Sequence, residues 1–121
     1  MKNILIGVSG GIAAYKVTSI VSSLRKKGHS IKVIMTENAT KIISPLAFES
    51  LSKNNVMVDM WEKNFNVNVE HVSLADWADI VVVVPATFNI VGKVANGIAD
   101  DMLSTVISAV RKPVYFALAM N

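Results

Sequence analysis

At 121 residues the chain has the length of about one domain, and an apolar fraction of 52% against 17% charged residues excludes intrinsic disorder. The net charge of +3, twelve Lys+Arg against nine Asp+Glu, is scattered apart from Arg25-Lys26-Lys27, so nothing points to a nucleic-acid partner. Cysteine is absent, which excludes a disulfide framework, a thiolate metal site and a cysteine nucleophile within the chain.

The opening run Asn3 to Val8 reads as a buried strand. It is too short for a signal h-region, and no apolar stretch reaches membrane-spanning length, so a cytoplasmic protein without membrane contact is expected. After the glycines, Ala13, Val17, Ile20, Val21 and Leu24 recur at helical spacing. Arg25 to Lys27 suit the negative end of that helix, and Gly28 suits its stop. His29 beyond it reads as solvated. Ser30 to Met35 is a second strand, which completes a β-turn-α-β unit.

Thr36 to Ile43 reads as a turn and short helix. Ser44-Pro45 then opens a helix to about Ser52, with Ser as cap and Pro in the first turn. Asn54-Asn55 is a turn and Val56 to Val58 a short strand. Residues 62–70, polar and rich in asparagine, read as a loop, followed by a short helix from Leu74 to Ala78. Ile80 to Val84 is five β-branched residues in a row, the pattern of a strand buried on both faces. A helix from Ala86 to Val94, a turn at Asn96-Gly97, a helix from Ala99 to Val110 and a strand from Val114 to Ala117 complete the chain. Alternating strands and helices predict an α/β fold with a doubly wound parallel sheet in three layers. The last strand is expected in the sheet interior, and with no helix after it the single domain, residues 1–121, reads as truncated at its C-terminal end.

In such sheets ligands bind outside the carboxyl ends of the strands. Four segments fall there. Gly7-Val8-Ser9-Gly10-Gly11-Ile12-Ala13-Ala14 is small enough for a phosphate to approach the backbone, or for a tight turn with close helix packing. It matches neither the dinucleotide fingerprint nor a P-loop. Thr36 is placed to contact a phosphate or polyol, or to cap the next helix. Pro85-Ala86-Thr87-Phe88-Asn89 leaves room for a flat ring with two polar side chains at its edge; equally it reads as a helix start capped by Thr87. The fourth segment is Ala117 to Asn121. His71 stands alone beside Glu70, and in an extended segment the two face opposite ways. In Asp100-Asp101 at least one carboxylate suits the first turn of the last helix. No partner has metal-ligand spacing, so no metal site is expected. Trp61 and Trp77 read as packing or interface residues.

Five strings in this order, Ser9-Gly10-Gly11-Ile12-Ala13-Ala14-Tyr15-Lys16, His71 to Asp79, Pro85 to Asn89, Gly97 to Ser104 and Ala119-Met120-Asn121, resemble the flavin-dependent cysteine decarboxylases, a flavoprotein family. The resemblance covers the whole chain and is strongest to the branch acting on 4'-phospho-N-pantothenoylcysteine in coenzyme A biosynthesis. It implies a flavodoxin-like fold and FMN as cofactor. It also implies homo-oligomers, as trimers or a dodecamer of trimers, with the flavin between subunits. The implied reaction oxidises the cysteine thiol, loses CO2 from the thioaldehyde and re-reduces the enethiol to 4'-phosphopantetheine.

Carried over by motif, Ser9, Gly10, Gly11, Ile12 and Thr36 contact the cofactor's phosphate and ribityl chain, while Pro85, Ala86, Thr87, Phe88, Asn89 and Ala119 contact its ring. His71 is the catalytic histidine, acting from a neighbouring subunit. Ala119, Met120 and Asn121 form the substrate site, with Asn121 holding the substrate carboxylate. Three departures stand out. Leu118 replaces the family's Pro. Phe88 replaces Ala and is expected to fill part of the flavin site or to restack against it. The family's later flap and proton-donating cysteine are absent, so this chain alone is expected to stop at the enethiol. The alternatives are a peptidyl-cysteine decarboxylase of lantibiotic maturation, or a flavin-binding regulatory or scaffold protein without turnover. A flavin prenyltransferase is disfavoured, because that relative lacks the combined His and Met-Asn pattern.

Overall fold

The structure, a computed structural model, describes residues 1–58 and 67–118, with 67–70 described through their backbone alone. Among the described residues four parallel strands form one sheet: β1 (Asn3–Val8), β2 (Ser30–Met35), β3 (Ile80–Ala86) and β4 (Val114–Leu118), in the order β2-β1-β3-β4. β1 pairs with β2 from Asn3↔Ser30 to Val8↔Met35, and with β3 from Ile4↔Ile80 to Gly7↔Val83. Parallel neighbours need crossovers, and these carry the helices onto both faces.

On one face α1 (Val17–Lys26), α2 (Glu37–Thr40) and α3 (Pro45–Ser52) cover Ile4, Ile6, Val8, Ile31, Val33 and Met35. On the other, α4 (Val67–Trp77), α5 (Phe88–Ala95) and α6 (Met102–Ala109) cover Leu5, Ile34, Val81 and Val83. The alternation is the pleat at work: successive β1 side chains feed opposite cores. The β-branched run of β3 is covered on both sides, Val81 and Val83 by one core, Ile80, Val82 and Val84 by the other. This is the expected three-layer, flavodoxin-like α/β architecture.

Several local expectations change. The first helix opens with a 3-10 turn over Ile12–Lys16, in which Ala14 is buried and Ala13 exposed, and Ile20 on α1 is 39% exposed. Gly28 ends α1 with φ +94, as its position predicts. His29 is not simply solvated, because its Nδ1 accepts a hydrogen bond from the Lys2 backbone N–H at 3.1 Å. The segment at Val56 to Val58 is not a full strand. It contributes one parallel bridge, Ile34↔Met57, in which Met57 accepts from the Met35 N–H at 2.9 Å and donates to the Val33 carbonyl at 3.2 Å.

The loop read over 62–70 falls partly outside the described residues, and its last four belong to α4, three turns long rather than one. β3 runs on through a cis Val84–Pro85 peptide to Ala86, so α5 starts at Phe88, not Ala86. α6 starts at Met102 rather than Ala99. β4, expected inside the sheet, is an edge of the described sheet, with Tyr115 and Leu118 each 57% exposed.

Candidate functional site

The carboxyl ends of β1, β2 and β3 open onto one cavity of about 510 Å³. That volume falls within the usual range for a small-molecule or cofactor site, about 300–1,000 Å³. Its wall takes Ser9 and Gly10 from the turn after β1, Thr36 from the turn after β2, and Thr87 and Asn89 from the turn after β3. Three of the four segments singled out by sequence therefore converge, although Ser9 and Thr87, for one, lie 78 residues apart in the chain.

Ser9 joins two of these turns. It is buried, and its hydroxyl donates to the Pro85 carbonyl while accepting from the Thr87 backbone N–H at 3.0 Å. Its proton and one of its two lone pairs are thus spent on the protein, so Ser9 shapes the wall. Gly10 allows the closest approach: a Cβ there would lie 2.5 Å from the Asn38 Cβ and 3.1 Å from its backbone carbon. Only glycine lets the β1 turn and α2 meet this tightly.

Thr36 and Thr87 each cap the helix that follows. Thr36 Oγ1 accepts from Ala39 N–H at 3.2 Å, and Thr87 Oγ1 from Ile90 N–H at 3.5 Å. Capping uses a lone pair, and each hydroxyl keeps its proton to donate into the cavity. The capping and ligand readings of these residues are therefore compatible. Asn89, one position into α5, adds an amide with both donors and an acceptor.

Other predicted residues stand elsewhere. Pro85 and Ala86 are buried behind the wall. Gly11 and Ile12 do not line the cavity, and Ile12 is 82% exposed. Phe88 is 67% exposed and does not line the cavity. His71 sits half-buried on α4 and does not line the cavity. Because the segment is helical, the extended-strand argument about Glu70 and His71 does not apply. Ala119, Met120 and Asn121 lie outside the described residues.

The sequence reading missed the charged part of the wall. Lys93 on α5 lies 2.9 Å from Asp100 Oδ1 and 3.1 Å from Asp101 Oδ2. Asp101 is the N-cap of α6: its Oδ1 accepts from the Ser104 N–H at 2.8 Å and from the Ser104 hydroxyl at 2.6 Å, closing a capping box. This bears out the helix-start reading of the Asp pair. Burial pushes the Asp101 carboxyl up, but the bonds from Ser104 and the Lys93 charge outweigh it and hold its pKa below the ordinary value. The Asp100 hydrogen bond raises the Lys93 pKa; burial opposes this, and Asp101 adds to it. A Lys seven and eight residues before an Asp pair, across a helix stop at Asn96-Gly97, was the available sequence signal. Among the described residues no group of His, Cys, Asp or Glu is arranged to hold a metal ion, and no helix is long and apolar enough to cross a membrane.

A cavity of hydroxyls and amides with one charged side, at the strand ends of a 2-1-3-4 parallel sheet, defines a nucleotide- or cofactor-binding α/β protein. The whole chain, residues 1–121, matches the family described as Flavoprotein, and the protein belongs to that family. It is 55% identical over 120 residues to the coenzyme A biosynthesis bifunctional protein CoaBC of Borreliella burgdorferi, covering 99% of this chain but 30% of that protein. Among solved structures it resembles the FMN-dependent cysteine decarboxylase SpaF, with 32% identity and a TM-score of 0.89 over 100% of this chain and 70% of that one. It also resembles a C175S variant of PPC decarboxylase complexed with pantothenoylaminoethenethiol, with 26% identity and a TM-score of 0.79 over 99% and 68%.

Proposed function

We propose that this chain is the FMN-binding part of a phosphopantothenoylcysteine decarboxylase acting in coenzyme A biosynthesis. The observation that carries the proposal is the convergence of the three βα turns on one cavity, in a chain 55% identical to a CoaBC protein. The donor set fits a flavin nucleotide. Neutral hydroxyls and amides from Thr36, Thr87 and Asn89 suit a polyol chain and a ring edge rich in donors and acceptors, and no metal is called for.

FMN, when bound, supplies a two-electron acceptor for the substrate thiol. The chain's own residues do the rest. Ser9 and Gly10 fix the wall, while Thr36, Thr87 and Asn89 orient the bound molecule and exclude water from it. His71 is assigned as the proton-handling group of a neighbouring subunit's site, which agrees with its place away from this chain's own cavity. Ala119, Met120 and Asn121 are assigned to the substrate, with the Asn121 amide on its carboxylate. Such sharing requires a homo-oligomer, which we propose to be a trimer or a dodecamer of trimers. Exposed Ile12, Tyr15 and Phe88 provide apolar surface for its contacts. A cytoplasmic location accords with the substrate.

A second reading, decarboxylation of a peptide's C-terminal cysteine, draws on the higher TM-score to SpaF, 0.89 against 0.79. The test is to add FMN to the purified protein, remove the excess and record the visible spectrum. A retained, structured flavin band that bleaches anaerobically with phosphopantothenoylcysteine, and not with a cysteine-ended peptide, is expected. Bleaching by the peptide alone selects the second reading. Retained flavin that neither substrate bleaches leaves a flavin-binding protein without turnover, and no retained flavin refutes FMN binding.

A further inference from the structure

Lys93 is the one cation among the described residues lining the cavity, against the carboxylates of Glu37, Asp100 and Asp101. Asp101 cannot turn away, because one of its oxygens is committed to the capping box of α6. Asp100 is 61% exposed and pairs with Lys93. The Lys93 side chain is 19% exposed and lines the open cavity, so its charge acts at short range and stays within reach of salt. A wall built this way would repel an anionic guest more strongly if Lys93 were neutral.

We propose that Lys93 is a charge-balancing residue of the cavity. It offsets one of the carboxylate charges of that wall, so that an anionic molecule, here a flavin phosphate, is repelled less. The inference rests on the flavin reading above. The raised Lys93 pKa accords with it, since the ammonium stays charged throughout the neutral range.

The competing explanation is mechanical. Lys93 also ties α5 to the start of α6, and any variant that breaks the tie would loosen the wall. The two explanations differ in sign. Lys93→Met removes a positive charge and Asp100→Asn a negative one, yet both weaken the same tie.

The experiment is FMN titration by flavin fluorescence on the full chain, for wild type, Lys93→Met and Asp100→Asn, in low and high salt. Riboflavin serves as the uncharged probe. At low salt, charge balance predicts about tenfold weaker FMN binding for Lys93→Met and about threefold tighter binding for Asp100→Asn. The gap should shrink in 1 M salt and be smaller for riboflavin. Weaker FMN binding in both variants, or equal losses for FMN and riboflavin, would overturn the proposal while leaving the flavin reading intact. A wild-type chain that binds neither flavin would refute the flavin reading itself, and this inference with it. Should Lys93→Met not fold, as judged by far-UV circular dichroism, Asp100→Asn decides the matter: its side chain is exposed, and tighter binding has no mechanical explanation.

Discussion

The two ends of the cavity are built from opposite materials. At the β1–β3 junction a buried serine hydroxyl and a glycine contact hold the turns together without charge. At the α5–α6 corner three charged groups do the joining, and one of them is mostly in water. A neutral buried junction is costly to break, because each orphaned polar group loses its partner where water does not reach. An ion pair with one partner mostly in water adds little to stability, because water competes for that charge. The first end therefore sets whether the cavity exists, and the second sets what charge it presents.

That contrast is tested most strongly at Ser9. Ser9→Ala leaves the Pro85 carbonyl and the Thr87 N–H unpaired in a buried place, so a loss of about 2–4 kcal/mol in urea unfolding is expected. Asp100→Asn should cost no more than about 0.5 kcal/mol. Equal costs at the two positions would remove the distinction drawn here.

Gly10→Ala probes the same junction through packing. The new methyl would press on the Asn38 Cβ and backbone, so α2 must retreat. Roughly 1–3 kcal/mol of destabilisation is expected. It should come with weaker FMN retention, because Thr36 and Asn38 move with α2. Flavin affinity unchanged alongside lost stability would separate α2 from the binding wall.

Which of these features could be read from the sequence follows from their range. β3 announced itself because five β-branched residues in a row have few alternatives to a strand covered on both faces. The caps at Ser44, Thr87 and Asp101 were legible because a cap needs only its own side chain and the next turn. α4 was read too short because Val67, Asn68, Val69 and Val72 have weak helix propensity, and what decides its start is the fold around it. The burial of Ala14 rather than Ala13 depends on a 3-10 turn, whose three-residue period shifts the inward face. In the site, the glycines and threonines were visible as a pattern at strand ends. The Ser9 link to Pro85 and the Lys93 pairing with Asp100 and Asp101 were not, because both depend on turns that only the fold brings together.

At the charged corner the larger expected effect comes from the cap. Asp101→Ala removes the acceptor for the Ser104 N–H and also one partner of Lys93, and about 1–2 kcal/mol is expected from the cap alone. Thermal unfolding should show it. A loss as large as that of Ser9→Ala would mean that the ion pair contributes far more than its exposure suggests.

The smallest effect is a slope. Asp101 has a folded-state pKa below its ordinary value, so it binds its proton more weakly folded than unfolded. Its contribution to stability is fully present above the ordinary carboxylate pKa and is lost as pH falls through the depressed value. Lys93 acts in the opposite sense: its pKa is raised, so its contribution is present below the ordinary lysine pKa and is lost as pH rises through the raised value. Asp101→Asn keeps a capping acceptor but carries no charge. Its unfolding free energy should therefore fall less steeply than that of wild type on the acid side, with the two curves differing mainly by an offset near neutral pH. Parallel acid limbs would mean that Asp101 acts through its hydrogen-bonding geometry and not its charge, which would extend the neutral design of the β1–β3 junction to the whole cavity.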